Sequence, residues 1–126
     1  MRRVLTLDLG VTTGWAFFAG GLEHGTITDH YSALPELARE KDPTVIVVER
    51  PLIVGNGALA TKLQKVIALT DYTIQGRKAE IVEVSPGQWK PTPEGKAPVP
   101  KGITQHERDA IRIGLWYFRY GCRVPE

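Results

Sequence analysis

A chain of 126 residues, 42% apolar and 24% charged, holds enough apolar material for one core and too little for a second, so residues 1–126 are expected to form a single domain. The formal net charge of +2 permits an anionic partner such as a nucleic acid without requiring one. One cysteine, Cys122, excludes an intrachain disulfide and a cysteine-rich zinc site, and no apolar run approaches a membrane span, so the chain is expected in a reducing cytoplasm.

Val4 to Leu9 reads as a nearly continuous apolar strand interrupted by Asp8. The glycine-bounded turn Gly10 to Gly14 leads into a second strand, Trp15 to Ala19, and Gly20-Gly21 turns the chain again into Leu22 to Thr28. Ser32 is placed to cap a short helix to Lys41, with Pro35 in its first turn and Asp42-Pro43 stopping it. Val45 to Val48 follows as a buried strand with Glu49 at its C-terminal end, and strand, crossover helix and apolar strand are the parts of a βαβ unit.

Asn56 is the expected cap of a long helix over Gly57 to Gln75, in which Leu59, Leu63, Val66, Thr70 and Ile74 recur at helical spacing. Its broad apolar stripe predicts partial use in contact with a second copy of the chain. Ala79 to Val84 reads as the fifth strand, closed by Ser85-Pro86, after which Gln88-Trp89-Lys90 reads as exposed. Four prolines and two glycines between Pro91 and Gly102 predict a mobile or extended loop. Thr104 and Glu107 stand at capping-box spacing before a final helix rich in apolar residues from Ala110 to Phe118. The expected fold is α/β, a mixed five-stranded sheet with its first three strands antiparallel, flanked by helices.

Asp8, Glu49, His106 and Asp109 each fall where a strand ends or a helix begins, and in an α/β sheet such positions gather at one edge. A carboxylate inside an apolar strand needs compensation, which for Asp8 is either a metal ion or hydrogen bonds from Thr12 or Thr13. Glu49 has Arg50 beside it as an alternative partner. His106 and Asp109, three residues apart, share a helix face and either meet a common ion or, for Asp109, pair with Arg108 or Arg112. Together the four suit two divalent ions, Mg2+ or Mn2+, with Asp8 bridging them, Glu49 completing one shell, and His106 and Asp109 the other. Such a pair hydrolyses phosphodiesters.

The segments Asp8-Leu9-Gly10 with Thr13-Gly14-Trp15, Val47-Val48-Glu49, Ser85-Pro86 and His106-x-x-Asp109-Ala110 resemble, in that order, the RuvC family of Holliday junction resolvases. Ala58 to Gln64 is also similar to the helix that follows the family's second acid. The resemblance implies an RNase H-like fold, a homodimer with two active sites, and symmetric nicking of four-way DNA junctions with divalent metal held at the positions of Asp8, Glu49, His106 and Asp109. The proline-rich loop replaces a longer basic segment of many relatives, and Pro51-Leu52-Ile53 stands where relatives present aromatics, which implies an aliphatic wedge at Leu52. Such compactness suits a phage-encoded member, in the cytoplasm of a bacterium or an infected host.

Lys62, Lys90, Lys96 and Lys101, with Leu52, are the candidate DNA contacts, and Lys65, Arg77 and Lys78 extend the same basic set. Trp89 is a candidate for base stacking, whereas Trp15 and Trp116 fall in apolar patterns that predict core positions. Three other readings stay open at this level: ribonuclease H-type cleavage of RNA–DNA hybrids, a non-cleaving module for branched DNA, and an actin-like ATP-binding domain suggested by Asp8-x-Gly-x-Thr. The last lacks room for its second lobe.

Overall fold

The computed structural model describes residues 2–121, and Cys122 lies outside the described residues. Five strands, β1 (Val4–Asp8), β2 (Thr13–Phe18), β3 (Leu22–Ile27), β4 (Val45–Glu49) and β5 (Glu80–Val84), form one sheet in the order β3-β2-β1-β4-β5. β1 pairs antiparallel with β2, and β2 with β3, while β1 with β4 and β4 with β5 are parallel. The helices are α1 (Ala33–Lys41), α2 (Ala58–Gln75), the short α3 (Pro86–Trp89) and α4 (Gln105–Trp116), which runs on into a π turn, Tyr117–Gly121. A mixed sheet with its first three strands antiparallel agrees with the sequence.

Both faces of the central strands are covered, which is why β1 and β4 are apolar apart from Thr6, Asp8 and Glu49. Leu5 and Leu7, with Ile46 and Val48, point to the side covered by α1 and α2, where Leu34, Leu37, Val66 and Ile74 close the larger core. The alternate residues Val4, Val45 and Val47 face the opposite side and pack with Ile113 and Tyr117. With a side-chain period of two, Asp8 and Glu49 fall on this second face, the one that α4 covers. The Thr6 hydroxyl, on the same face, donates to the Ala110 carbonyl at 2.6 Å and ties the helix to the central strand.

Several local expectations need correction. Gly57, not Asn56, caps α2. Ser32 occupies the cap position of α1, but its hydroxyl donates to Asp29, and it makes no side-chain bond to the helix. Leu59, assigned to the apolar stripe of α2, is 62% exposed, because the face turned to the core is carried by Ala60, Val66, Thr70 and Ile74. The segment 91–102 is packed rather than extended: a 3₁₀ turn, Glu94–Lys96, folds it back on α3, and Arg112 Nε donates to the Ala97 carbonyl at 3.1 Å. Gly95 permits this, since a Cβ there would lie 2.2 Å from the Trp89 carbonyl oxygen.

Candidate active site

The parallel register places Asp8 directly beside Glu49 at the C-terminal ends of β1 and β4. Across β1 on its other side, Asp8 is paired with Gly14 of β2. That glycine makes room for α4: a Cβ on Gly14 would stand 2.1 Å from the carbonyl of His106. One on Gly10 would stand 2.9 Å from the His106 ring. Two glycines therefore let the first turn of α4 descend onto the sheet edge. Thr104 caps that turn by accepting from the Glu107 amide at 3.2 Å, so the helix begins where His106 and Asp109 meet the strand-end carboxylates.

All four candidate residues sit at this edge. His106 Nδ1 lies 2.8 Å from Asp8 Oδ2, joining groups 98 residues apart in the chain. Asp8, Glu49 and Asp109 are all buried. The Asp8 carboxyl is raised from its ordinary value to about 9 by burial, by a hydrogen bond with the Glu49 carboxyl, and by the nearby charges of Glu49 and Asp109, with Lys90 opposing. Glu49 and Asp109 lie near enough to raise the cost of ionising Asp8, and the local structure meets that cost by keeping a proton on it.

Each acid also has a neutral or cationic partner, none of them a residue weighed as an alternative from the sequence. Trp89 Nε1 donates to Glu49 Oε1 at 2.9 Å. Gln105 Nε2 donates to Asp109 Oδ1 at 2.7 Å. Arg50 turns away from Glu49 to Asp71 and Glu83. Thr13 turns away from Asp8 and bonds His30 Nε2 at 2.6 Å. Trp89, read as exposed and available to a base, is 1% exposed and lies beneath the site. Glu107 is buried as well and pairs with His24 of β3, which pins the same turn of α4 from the far side.

Among the described residues, no three His, Cys, Asp or Glu side chains stand around one point as a preset ion cage. His106, Trp89 and Gln105 each engage one carboxylate oxygen of the cluster. The donor set fits a hard divalent cation nonetheless, because it is rich in carboxylate oxygens and the repulsion that keeps Asp8 protonated is what a dication would relieve.

The remaining candidates lie around this edge. Leu52 is 86% exposed on the loop after Glu49. Lys90 is close enough to act on the Asp8 carboxyl, and its ammonium lies 5.5 Å from the Trp89 ring centre. Lys62 and Lys101 are exposed, and Lys96 Nζ donates to the Pro91 carbonyl at 3.2 Å. Trp15 and Trp116 pack against the two cores, as their patterns predict.

The sheet order, the antiparallel opening and the helix crossing at the strand ends define an RNase H-like fold, with an acidic cluster at the sheet edge. Within that class the chain has the fold of RuvC. It superposes on Thermus thermophilus RuvC in complex with a Holliday junction substrate with a TM-score of 0.69, covering 96% of this chain and 97% of the other at 17% identity. A second T. thermophilus RuvC structure gives a TM-score of 0.66 over 94% and 96% of the two chains, at 18% identity. No protein-family model and no curated protein sequence matches the chain.

Proposed function

We propose that this chain, acting as one nuclease domain over residues 1–126, is a metal-dependent endonuclease that nicks branched DNA, the four-way junction above all. One observation carries the reading: Asp8, Glu49 and Asp109, from three separate elements, press on one another beneath His106 at the end of a RuvC-like sheet. A structural role would favour pairing these acids with arginines. Here Arg50 is spent elsewhere, and the acids are held by His106, Trp89 and Gln105 instead.

Asp8, Glu49, Asp109 and His106 are the residues that would hold Mg2+ or Mn2+, two ions per site, which when bound supply an activated water and neutralise the departing oxygen of a phosphodiester. The chain does the rest. Trp89 fixes one oxygen of Glu49, so the other points in a set direction. Gln105 does the same for Asp109. Bound cation charge would favour loss of the Asp8 proton, and His106, hydrogen-bonded to Asp8 and partly exposed, stands where such a proton can pass to solvent. Lys90 adds positive charge beside the cluster for a phosphate.

The junction-bound state of the superposed RuvC supports branched DNA as the partner. Leu52, Lys62, Lys90, Lys96 and Lys101 are the proposed contacts, Leu52 as an aliphatic wedge and the lysines on phosphates. Two sites are needed for symmetric nicks, and a homodimer is proposed through the α2 side, which leaves Leu59 and Tyr72 exposed. No helix of the described residues is long and apolar enough to cross a membrane.

The decisive experiment incubates the protein with a synthetic four-way junction, a linear duplex and an RNA–DNA hybrid, each with Mg2+, with Mn2+ and with chelator. Metal-dependent paired nicks in the junction are expected. Cleavage confined to the hybrid, or persisting in chelator, overturns the reading.

A further inference from the structure

A second concavity opens beside the site, between the β3 to α1 loop and the first half of α2. It encloses about 260 Å3 and is lined by Val11, His30, Tyr31, Lys62, Lys65 and Leu69, among others. The loop is built to hold its shape. Asp29 accepts from the Ser32 hydroxyl at 2.5 Å, and His30 is buried with Nε2 2.6 Å from the Thr13 hydroxyl. Both polar residues are therefore occupied internally. What remains for a ligand is Tyr31, 79% exposed, and the two lysines of α2, which make no ion pair among the described residues.

The chemistry is that of a nucleotide subsite. An exposed phenol ring held on a braced loop offers a stacking face to any base. Lys62 and Lys65, three residues apart, present two ammonium groups on one helix face, opposite that ring. The floor between them, Val11 and Leu69, is apolar. Val11 also lines the neighbouring cavity of about 440 Å3 that runs past Gly10, Leu59 and Leu63 to His106. The two cavities thus abut at the β1 to β2 turn, and α2 from Leu59 to Leu69 forms one continuous wall. Ten residues of helix rise roughly 15 Å, the length of about four stacked nucleotides at 3.4 Å each.

We propose that the Tyr31–Lys62–Lys65 cleft binds an unpaired nucleotide of the strand that continues away from the scissile phosphate, its base laid on Tyr31 and its phosphate on the two lysines. This rests on the nuclease reading for the direction of the strand, though the cleft's preference for single-stranded nucleic acid is independent of it.

The test measures anisotropy of a short fluorescein-labelled oligothymidylate in chelator, with junction cleavage in Mg2+ run in parallel on the same proteins. Tyr31→Ala is expected to weaken oligothymidylate binding about tenfold while Tyr31→Phe stays near wild type. The double variant Lys62→Ala/Lys65→Ala is expected to reduce the slope of log affinity against log salt by roughly 1.4. All three residues changed here are surface groups, and matching thermal melts check that the fold is intact. If the wild type cuts junctions but Tyr31→Ala binds oligothymidylate as tightly as wild type, the subsite is overturned and the nuclease reading stands. If nothing is cut yet binding still depends on Tyr31 and the lysines, the subsite stands and the nuclease reading falls. Absence of both cleavage and oligothymidylate binding overturns the two together.

Discussion

Replacing Asp8 by asparagine tests the acidic cluster through stability rather than activity. In the folded chain the Asp8 carboxyl is raised to about 9 from an ordinary 3.8, so between those values the folded state holds a proton that the unfolded chain has lost. Stability therefore falls as pH rises from the ordinary value toward the raised one, because unfolding releases the proton. At pH 7 the gap from the ordinary value is about 3 units, which at 1.36 kcal/mol per unit amounts to roughly 4 kcal/mol of destabilisation as a ceiling. Asparagine has no proton to lose, yet its amide can still meet His106 and Glu49. In chelator at pH 7 the Asp8→Asn variant should thus melt higher than wild type, by up to roughly 15 °C at about 4 °C per kcal/mol. The gap should shrink to nothing under acid conditions. Saturating Mg2+ should raise the melting temperature of wild type and leave the variant almost unmoved, since a ligand stabilises only the state that binds it. Thermal melts from acid to mildly alkaline pH, followed by circular dichroism, make the comparison. A variant no more stable than wild type at pH 7 would refute the account of Asp8 as a strained, proton-holding member of the cluster.

Three further substitutions probe the supports of the site. Gly14→Ala drives a methyl group into the His106 carbonyl, where only 2.1 Å is free, and should cost at least roughly 3 kcal/mol in urea unfolding while abolishing cleavage; a fully active, stable variant would mean that α4 seats differently. Trp89→Phe keeps the ring but removes the donor to Glu49, and should lower stability by about 2 kcal/mol and raise the Mg2+ concentration needed for half-maximal cleavage; an unchanged metal dependence would leave Trp89 as core packing alone. The third concerns His30, whose imidazole burial holds below its ordinary 6.5, so the folded state resists a proton that the unfolded chain accepts and stability is lost as pH falls below that value. His30→Gln, which can still hydrogen-bond Thr13, should flatten this acid limb in urea titrations, and an unaltered limb would count against it.

Much of the architecture was legible because burial on two faces leaves a plain mark. The nearly continuous apolar runs of β1 and β4 read as buried strands, and an acid at the end of each stands out against them. The convergence of Asp8 and Glu49 follows from the parallel register, and that of His106 and Asp109 from the Thr104 cap, both readable as patterns. Trp89 was not legible. Its neighbours Gln88 and Lys90 are polar, and a tryptophan between them looks like surface. Yet Ser85-Pro86-x-Gln88 is a capping box with proline in the first turn, the same type of signal as Thr104 to Glu107, and it marks a short helix that turns the indole inward. The proline-rich segment misled for a different reason: proline forbids α-helix and sheet but not a 3₁₀ turn, and the close approach at Gly95 depends on a tertiary contact that no local pattern encodes. Leu59 fits the helical period, but its exposure depends on how far the sheet extends beneath α2.

The bond between Asp8 and His106 spans 98 residues, so half of the cluster belongs to the sheet and half to a helix clamped on late in the chain. A molecule in which α4 has lifted off keeps its sheet and its larger core, yet it holds only a pair of acids side by side. Such opening relieves the crowding around Asp8, which sets the electrostatics of the empty cluster against the packing of Gly14, Thr6 and Ala110. On the proposed reading, a bound cation would reverse the balance, turning a wedge that pries the two halves apart into a rivet that joins them.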